Sequence, residues 1–135
     1  MEMNSRMDKP HRTNPITVLL VDDDDQLRTL CRDYLTSSGF RVLEGENGLE
    51  ALLVAANYDG AIDVLITDME MPRISGTELA NLFKVMWPTI GVLYISGSLC
   101  EYIRGDPDSD CALLPKPFLP VALLKAVGEI LDARR

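Results

Sequence analysis

Polar and charged side chains stand at the ends of four short apolar runs in this chain. They are an aspartate pair, a single aspartate, a hydroxyl and a lysine: Asp22 and Asp23, Asp68, Ser96, and Lys116. Short runs rich in Val, Ile and Leu are typical of buried strands. If the strands are parallel, their carboxyl ends meet at one edge of the sheet, where open sheets place their ligand sites.

These side chains together suit phosphoryl transfer, in which positioning and charge neutralisation carry nearly all the catalysis. Asp68 would accept the phosphoryl group, Ser96 would donate a hydrogen bond, and Lys116 would supply a fixed positive charge. Asp22 and Asp23 repel each other as adjacent carboxylates, and a hard divalent cation such as Mg²⁺ would relieve that repulsion. A turn or helix cap would explain Asp68 if it stood alone, and capping explains Asp24 and Asp25. Capping does not explain Asp22 and Asp23, which are still at the strand tip.

The hydrophobic periodicity predicts the elements that hold these residues. Strands and helices alternate, so we expect a parallel sheet with helices on both faces. The predicted strands are Thr17–Val21, Phe40–Glu44, Val64 to Asp68, Ile90–Ile95 and Leu113-Leu114. The predicted helices are one that carries Leu27 to Leu35 and closes at Gly39, then Leu49–Asn57, Thr77–Trp87 and Pro120–Ala133. The segment Leu99–Asp110 contains Gly105 and Pro107, which predict a helix that is short or irregular.

Two apolar stripes predict which helix faces are buried. On the third of these helices the predicted inward residues are Leu79, Leu82, Phe83 and Met86. On the last helix they are Val121, Leu124, Val127 and Leu131.

Length and charge limit the class of protein. The 135 residues are enough for one domain with its own core, and we predict that it occupies residues 16–135. Residues 1–15 are polar and lack periodicity, so they are predicted to be a disordered lead-in or linker. The net charge of −8 argues against direct nucleic-acid binding. Without a long apolar run we expect no membrane insertion and a cytoplasmic location.

The motifs of this chain resemble the receiver domain of two-component response regulators, of the chemotaxis-regulator type. They are VDDD at 21–24, TDMEMPRISG at 67–76, SG at 96–97 and KPF at 116–118. The resemblance covers nearly all of Thr17–Ala133. It implies a flavodoxin-like, doubly wound five-stranded parallel sheet with strand order 2-1-3-4-5 and helices on both faces.

The resemblance also implies residue roles at the metal site. Asp68 would be the phosphoacceptor in His-to-Asp signal transduction. Asp23 and Asp68 would bind Mg²⁺ directly together with the backbone carbonyl of Glu70, and Asp22 would help through water. The chain would then be a signalling domain rather than an enzyme, although it would catalyse its own phosphotransfer and a slow dephosphorylation.

The remaining roles concern the phosphoryl group and the partners. Ser96 would be the switch hydroxyl, Lys116 would pair with the phosphoryl oxygens, and the peptide bond before Pro117 would be cis. The donor would be a histidine kinase or a histidine phosphotransfer protein, and phosphorylation would switch a protein partner.

Three features depart from the family pattern. Leu113 stands where an aromatic switch residue is usual, Glu70 is acidic and long, and the segment Leu99–Asp110 is a poor helix. Without the aromatic residue and that helix we expect the domain to remain a monomer. The pairing of Ser96-Gly97 with Leu113 and KPF is more similar to receivers of hybrid sensor kinases than to those of DNA-binding regulators.

Two other functions compete with this interpretation. One is an unphosphorylated pseudo-receiver that acts only as an interaction domain, which the intact set of Asp22, Asp23, Asp68, Ser96 and Lys116 argues against. The other is a phosphatase of the haloacid dehalogenase type, which also uses an aspartyl nucleophile. Such a phosphatase carries a second Asp two residues after the first, where this chain has Glu70, and needs a cap or a longer chain.

Overall fold

The computed structural model describes residues 15–97 and 112–134. The predicted lead-in, except Pro15, and the predicted irregular helix at Leu99–Asp110 lie outside these residues. The elements, in order, are β1 (Thr17–Val21), α1 (Asp25–Ser37), β2 (Arg41–Gly45), α2 (Gly48–Asn57), β3 (Val64–Asp68), α3 (Gly76–Met86), β4 (Gly91–Ser96), β5 (Ala112–Pro115) and α4 (Pro120–Ala133). The predicted strands and helices are confirmed, with their ends shifted by a residue or so.

The five strands form one sheet in the order β2-β1-β3-β4-β5. Every neighbouring pair is parallel, so the predicted order 2-1-3-4-5 is confirmed. The strands β1 and β3 lie side by side near the centre, with Val21 opposite Thr67. Their carboxyl ends therefore meet at one edge, and those of β4 and β5 continue that edge.

Helices cover the sheet on both faces. Helices α2 and α3 pack on one face and α1 and α4 on the other, and alternate residues of the central strands belong to alternate faces. Strands buried on both sides are expected to contain nearly continuous apolar runs, as β1 does at Val18–Val21 and β4 at Val92–Ile95. The buried side chains of the first face include Leu19, Leu65, Ala51, Leu79 and Phe83. Those of the second include Leu20, Ile66, Leu35, Leu123 and Val127.

The predicted inward faces of α3 and α4 were wrong in part. On α3, Leu82 and Met86 are 45% and 50% exposed, because the buried face is Gly76, Leu79, Ala80 and Phe83. Small residues on that face let the helix approach the sheet closely. On α4, Val121 is 67% exposed, and the buried residues are Leu123, Val127 and Ile130.

The helix ends follow standard capping chemistry. The Asp24 carboxylate caps α1 by accepting hydrogen bonds from the backbone N–H groups of Gln26 and Leu27. The helix is followed by Gly39 at φ 96°, a left-handed conformation that glycine adopts without penalty. These two residues fix where α1 starts and stops, and hence how it leaves the acidic end of β1.

A buried carboxylate joins three elements at the opposite edge of the sheet. Asp63, which precedes β3, accepts a hydrogen bond at Oδ2 from the backbone N–H of Thr17, at 2.8 Å. Arg134, just after α4, donates from Nη1 to the Asp63 carbonyl at 2.9 Å. The same Nη1 lies 3.6 Å from Asp63 Oδ1. The end of α4 is thereby attached to the starts of β1 and β3.

Helix lengths and hydropathy also bear on membranes. Among the described residues, no helix is both long enough and apolar enough to cross a bilayer.

Gly76 is a position where the fold predicts a sharp effect of mutation. A Cβ there would meet the Asp68 carbonyl oxygen and would lie 2.8 Å from the Cα of Met69. Because these are backbone atoms that cannot rotate away, we expect Gly76→Ala to lower the free energy of unfolding by about 1–3 kcal/mol. Urea unfolding measures this change.

Gly128 provides the matched control for this substitution. It lies inside α4, and a Cβ there would have nothing within 4 Å. Gly128→Ala is therefore expected to raise the free energy of unfolding by up to about 1 kcal/mol, because alanine favours helix. A Gly76→Ala variant that is as stable as wild type would contradict the prediction. It would show that the backbone of the loop after β3 can shift at little cost to accommodate a Cβ.

Candidate functional site

The chemically active residues predicted from the sequence lie at one edge of the sheet. Asp22 directly follows β1, Asp68 and Ser96 end β3 and β4, and Lys116 directly follows β5. Asp22, Asp68 and Ser96 are buried, with 1%, 4% and 0% of their surfaces exposed. Asp23 is exposed beside them. The topology therefore brings together side chains that are far apart in the chain.

Lys116 contacts both buried carboxylates. Its Nζ lies 3.4 Å from Asp22 Oδ2 and 3.6 Å from Asp68 Oδ2. The backbone positions it, because the Lys116 N–H donates to the Ser96 carbonyl at 2.7 Å. The Lys116–Pro117 peptide bond is cis. One ammonium group thus lies between two carboxylates in a largely buried setting.

Burial and mutual repulsion disturb the ionisation of this group. Burial raises the pKa of Asp22, and the hydrogen bond from Asp24 N–H together with Lys116 offsets this only in part. Burial and the nearby Asp22 charge also raise the pKa of Asp68. Burial alone would lower the pKa of Lys116, but the charges of Asp22 and Asp68 outweigh it and raise that pKa. The lysine therefore stays cationic while both aspartates resist ionisation.

Three carboxylates form a group that could hold a metal ion. One ligand oxygen from each of Asp22, Asp23 and Asp68 lies within 4.8 Å of the others. Among the described residues, Asp22 Oδ2 is buried and has no partner with good hydrogen-bond geometry, although Lys116 Nζ lies 3.4 Å from it. When all three carboxylates are ionised, they and the one ammonium have a net charge of −2. An all-oxygen donor set of this charge fits Mg²⁺, which binds through few carboxylates and keeps several waters.

The loop after β3 holds Asp68 in place. The Glu70 N–H donates to Asp68 Oδ1 at 3.1 Å, and the Gly76 N–H donates to the Met69 carbonyl at 3.0 Å. Between them Arg73 has φ 72°, a left-handed conformation that costs a non-glycine residue of order 1 kcal/mol or more. The loop is thus closed tightly beneath the aspartate.

Glu70 also reaches the neighbouring strand. Ser96 Oγ donates to Glu70 Oε2 at 3.4 Å, which is a long hydrogen bond. The sequence analysis singled out both residues, but it did not predict this contact. It arises because β3 and β4 are neighbours and Asp68 pairs with Ile95 in their register.

Arg28 belongs to the site as well, although the sequence analysis did not name it. Its Nη1 donates to the Asp22 carbonyl at 2.6 Å. The spacing of Asp25 and Arg28 was the available signal, since residues three apart on a helix can pair. The contact with the Asp22 carbonyl depends on tertiary structure and has no such signal.

Leu113, at the position of the usual aromatic switch residue, lies on β5 opposite Tyr94 of β4. It is half-buried and packs against the α2–α3 face of the core. The described structure therefore gives this leucine a packing role in the sheet.

A comparison with protein families agrees with this fold. The model of the response regulator receiver domain matches residues 18–127. A parallel sheet with the predicted site residues at the carboxyl ends of four strands is the architecture of a receiver-type signalling module. The chain belongs to the response regulator receiver domain family.

Individual relatives include several kinds of signalling protein. The sensor kinase CckA of Brucella abortus is 34% identical over 118 residues, which are 86% of this chain and 12% of that protein. The response regulator MprA of a Mycobacterium species is 30% identical over 87% of this chain and 51% of its own length. This chain thus spans about half, or less, of the curated relatives it matches.

Solved structures of receiver domains are similar along almost their whole length. A response regulator receiver protein from Sinorhizobium medicae has a TM-score of 0.81 at 29% identity, covering 92% of this chain and all of that one. The receiver domain of the hybrid histidine kinase CckA has a TM-score of 0.73 at 34% identity, covering 85% and 98%. These likenesses confirm the predicted receiver fold.

The raised pKa of Asp68 predicts how stability responds to pH. Between the ordinary value of 3.8 and the raised value, the folded state binds more protons than the unfolded state. The contribution of Asp68 to the free energy of unfolding therefore falls as pH rises through this window. Because asparagine cannot ionise, we expect the metal-free Asp68→Asn variant to melt at a higher temperature than wild type near neutral pH.

Thermal melts in EDTA across the acidic range test this expectation. The difference should disappear below the ordinary aspartate pKa, where both proteins carry a neutral side chain. Asp59→Asn, at an exposed loop position, is the control for loss of one negative charge and should change the melting temperature little. A lower melting temperature for Asp68→Asn at neutral pH would contradict the prediction.

Proposed function

We propose that this domain is a phosphoacceptor in two-component signal transduction, with Asp68 phosphorylated in the presence of Mg²⁺ and a protein partner switched as a result. The observation that carries the proposal is the convergence of Asp22, Asp23, Asp68 and Lys116 at one edge of the sheet. That arrangement supplies a nucleophile, a cation site and a fixed positive charge, which are the parts phosphoryl transfer needs.

The transfer begins with attack on phosphorus by a carboxylate oxygen of Asp68. A new P–O bond forms, the bond from phosphorus to the donor histidine nitrogen breaks, and the imidazole leaves with the electron pair. Asp22, Asp23 and Asp68, with the Glu70 carbonyl, would hold Mg²⁺. When bound, the ion neutralises charge on the carboxylates and on the phosphoryl oxygens. Its charge also favours the ionised form of Asp68, which burial disfavours.

Lys116 and Ser96 would hold the phosphoryl oxygens. Lys116 already lies 3.6 Å from Asp68 Oδ2, and its raised pKa keeps it charged through the neutral range. Ser96 is fully buried at the adjacent strand end. On phosphorylation its hydroxyl would move toward the phosphoryl group, and this movement would be the switch. In this role Ser96 would exchange its hydrogen bond with Glu70 for one with the phosphoryl oxygen.

The partners follow from the same chemistry. The donor is proposed to be a histidine kinase or a histidine phosphotransfer protein, in the cytoplasm, with the domain acting as a monomer. Support for a kinase partner comes from the relatives, which include the sensor kinase CckA and response regulators. Neither direct nucleic-acid binding nor membrane insertion forms part of the proposal.

The first test of this function concerns the acceptor. With acetyl phosphate, a small acyl-phosphate donor, and Mg²⁺, wild-type protein should form a base-labile acyl phosphate that mass spectrometry maps to Asp68. Asp68→Asn keeps the shape but removes the nucleophile, so labelling should fall to background. Labelling at the wild-type rate in this variant would contradict the assignment, and no labelling of wild type would favour a pseudo-receiver.

The second test concerns the metal site. Asp23→Asn removes a proposed ligand, so the Kd for Mg²⁺ should rise by at least about tenfold, the loss that even an outer-shell partner can cause. Asp33→Asn removes another exposed carboxylate. It lies on α1 and pairs only with Arg32 among the contacts described. Calorimetric titration with MgCl₂ compares them, and an equal loss of affinity in both variants would refute the assigned ligand.

A further inference from the structure

Arg28 binds the backbone next to the proposed metal ligands. It lies in the first turns of α1, and its side chain is only 13% exposed. Its Nη1 donates a short hydrogen bond of 2.6 Å to the carbonyl of Asp22. That carbonyl belongs to the peptide that joins Asp22 to Asp23, so the guanidinium fixes the link between two carboxylates of the site.

Two further contacts hold the same guanidinium in place. Nη2 donates to Asp25 Oδ1 at 2.7 Å in the first turn of α1, and Nε donates to Glu44 Oε1 at 3.2 Å on β2. All three nitrogens are therefore engaged with different elements. A planar guanidinium bound in this way cannot rotate without losing contacts, whereas a lysine ammonium could not make them all in fixed directions.

The rest of the Asp22 backbone is held from other sides. The Asp22 N–H donates to the Gly45 carbonyl at 3.2 Å, and Asp22 Oδ1 accepts from the Asp24 N–H at 2.9 Å. Arg28 supplies the hold on the carbonyl. Asp23 itself is exposed, and one of its carboxylate oxygens lies within 4.8 Å of an oxygen of Asp22 and of Asp68, at a distance where like charges repel.

We propose that Arg28 is a positioning residue for the magnesium site, which it serves by fixing the Asp22–Asp23 peptide so that Asp23 stays beside Asp22 and Asp68. This inference rests on the proposed function. The two effects of Arg28 on Mg²⁺ binding have opposite signs. Its hydrogen bonds favour binding by fixing the ligands, whereas its positive charge disfavours binding because it repels Mg²⁺. Removing the side chain should therefore weaken Mg²⁺ binding, although removing its charge alone would strengthen it.

Loss of ligand positioning and loss of positive charge have opposite effects on the affinity for Mg²⁺, so one titration can distinguish them. Calorimetric titration of the full chain with MgCl₂ is compared for wild type, Arg28→Gln and Arg28→Lys. We expect the Kd for Mg²⁺ to rise about tenfold in Arg28→Gln, the scale of loss known for residues that orient metal ligands. Arg28→Lys keeps the positive charge but loses the planar guanidinium with its fixed N–H directions. The Kd of this variant for Mg²⁺ should therefore also rise.

Arg32→Gln is the matched control. Arg32 lies one turn further along α1 and also pairs with Glu44, with Nη1 at 3.3 Å from Oε2. Its other described contact is with its neighbour Asp33, away from the Asp22 carbonyl. The Kd for Mg²⁺ should therefore stay within about twofold of wild type, far less than the change expected of a positioning residue.

The outcomes separate three cases. An unchanged or lower Kd in Arg28→Gln or Arg28→Lys, with or without a lower melting temperature, would overturn the positioning role. An equal rise in Arg32→Gln would also overturn it, because loss of charge around Glu44 would then explain the effect. If wild type itself fails to bind Mg²⁺, the proposed metal site fails, and that result is distinguishable because it precedes any comparison of variants.

Discussion

The site depends on one electrostatic constraint: two carboxylates are buried side by side against a single ammonium group. Lys116 lies within 3.6 Å of both Asp22 and Asp68, but one positive charge cannot balance both of them and the adjacent Asp23. Burial is the main cause of the raised pKa of each buried aspartate, and the charges of the neighbouring aspartates add to it. The folded domain therefore contains carboxylates that repel one another. A divalent cation, or protonation of one carboxylate, reduces this repulsion.

The sheet order is what makes this arrangement possible. The strands that end in Asp68 and precede Asp22 are neighbours at the centre of the sheet, and each is followed in the chain by a short loop. Ser96 and Lys116 follow from the next strands outward. The edge strand β2 contributes no ligand, but its Gly45 carbonyl and Glu44 carboxylate hold the loop that carries the aspartate pair. Each of the five strands thus contributes either a side chain or a backbone contact to the candidate site at this edge of the sheet.

Sequence patterns predicted the strand ends well because strand-end chemistry is local. An apolar run followed at once by Asp22 or Asp68 determines both the burial of the run and the position of the carboxylate. Helix faces were predicted less well, since the stripe on α3 is wider than its contact with the sheet and small residues such as Ala80 decide which side packs. Contacts such as Arg28 with the Asp22 carbonyl, or Glu70 with Ser96, depend on the register of separate elements, and no local pattern encodes them.

The attachment of Arg134 to Asp63 has a mechanical consequence. The end of α4 and the start of β3 act as one joint, because separating them breaks a charged hydrogen bond and an ion pair together. The contact therefore lies at the start of the strand whose far end is Asp68. The same carboxylate also binds the start of β1 through the Thr17 N–H. The end of α4 is therefore connected to both strands whose far ends lead to the buried aspartates.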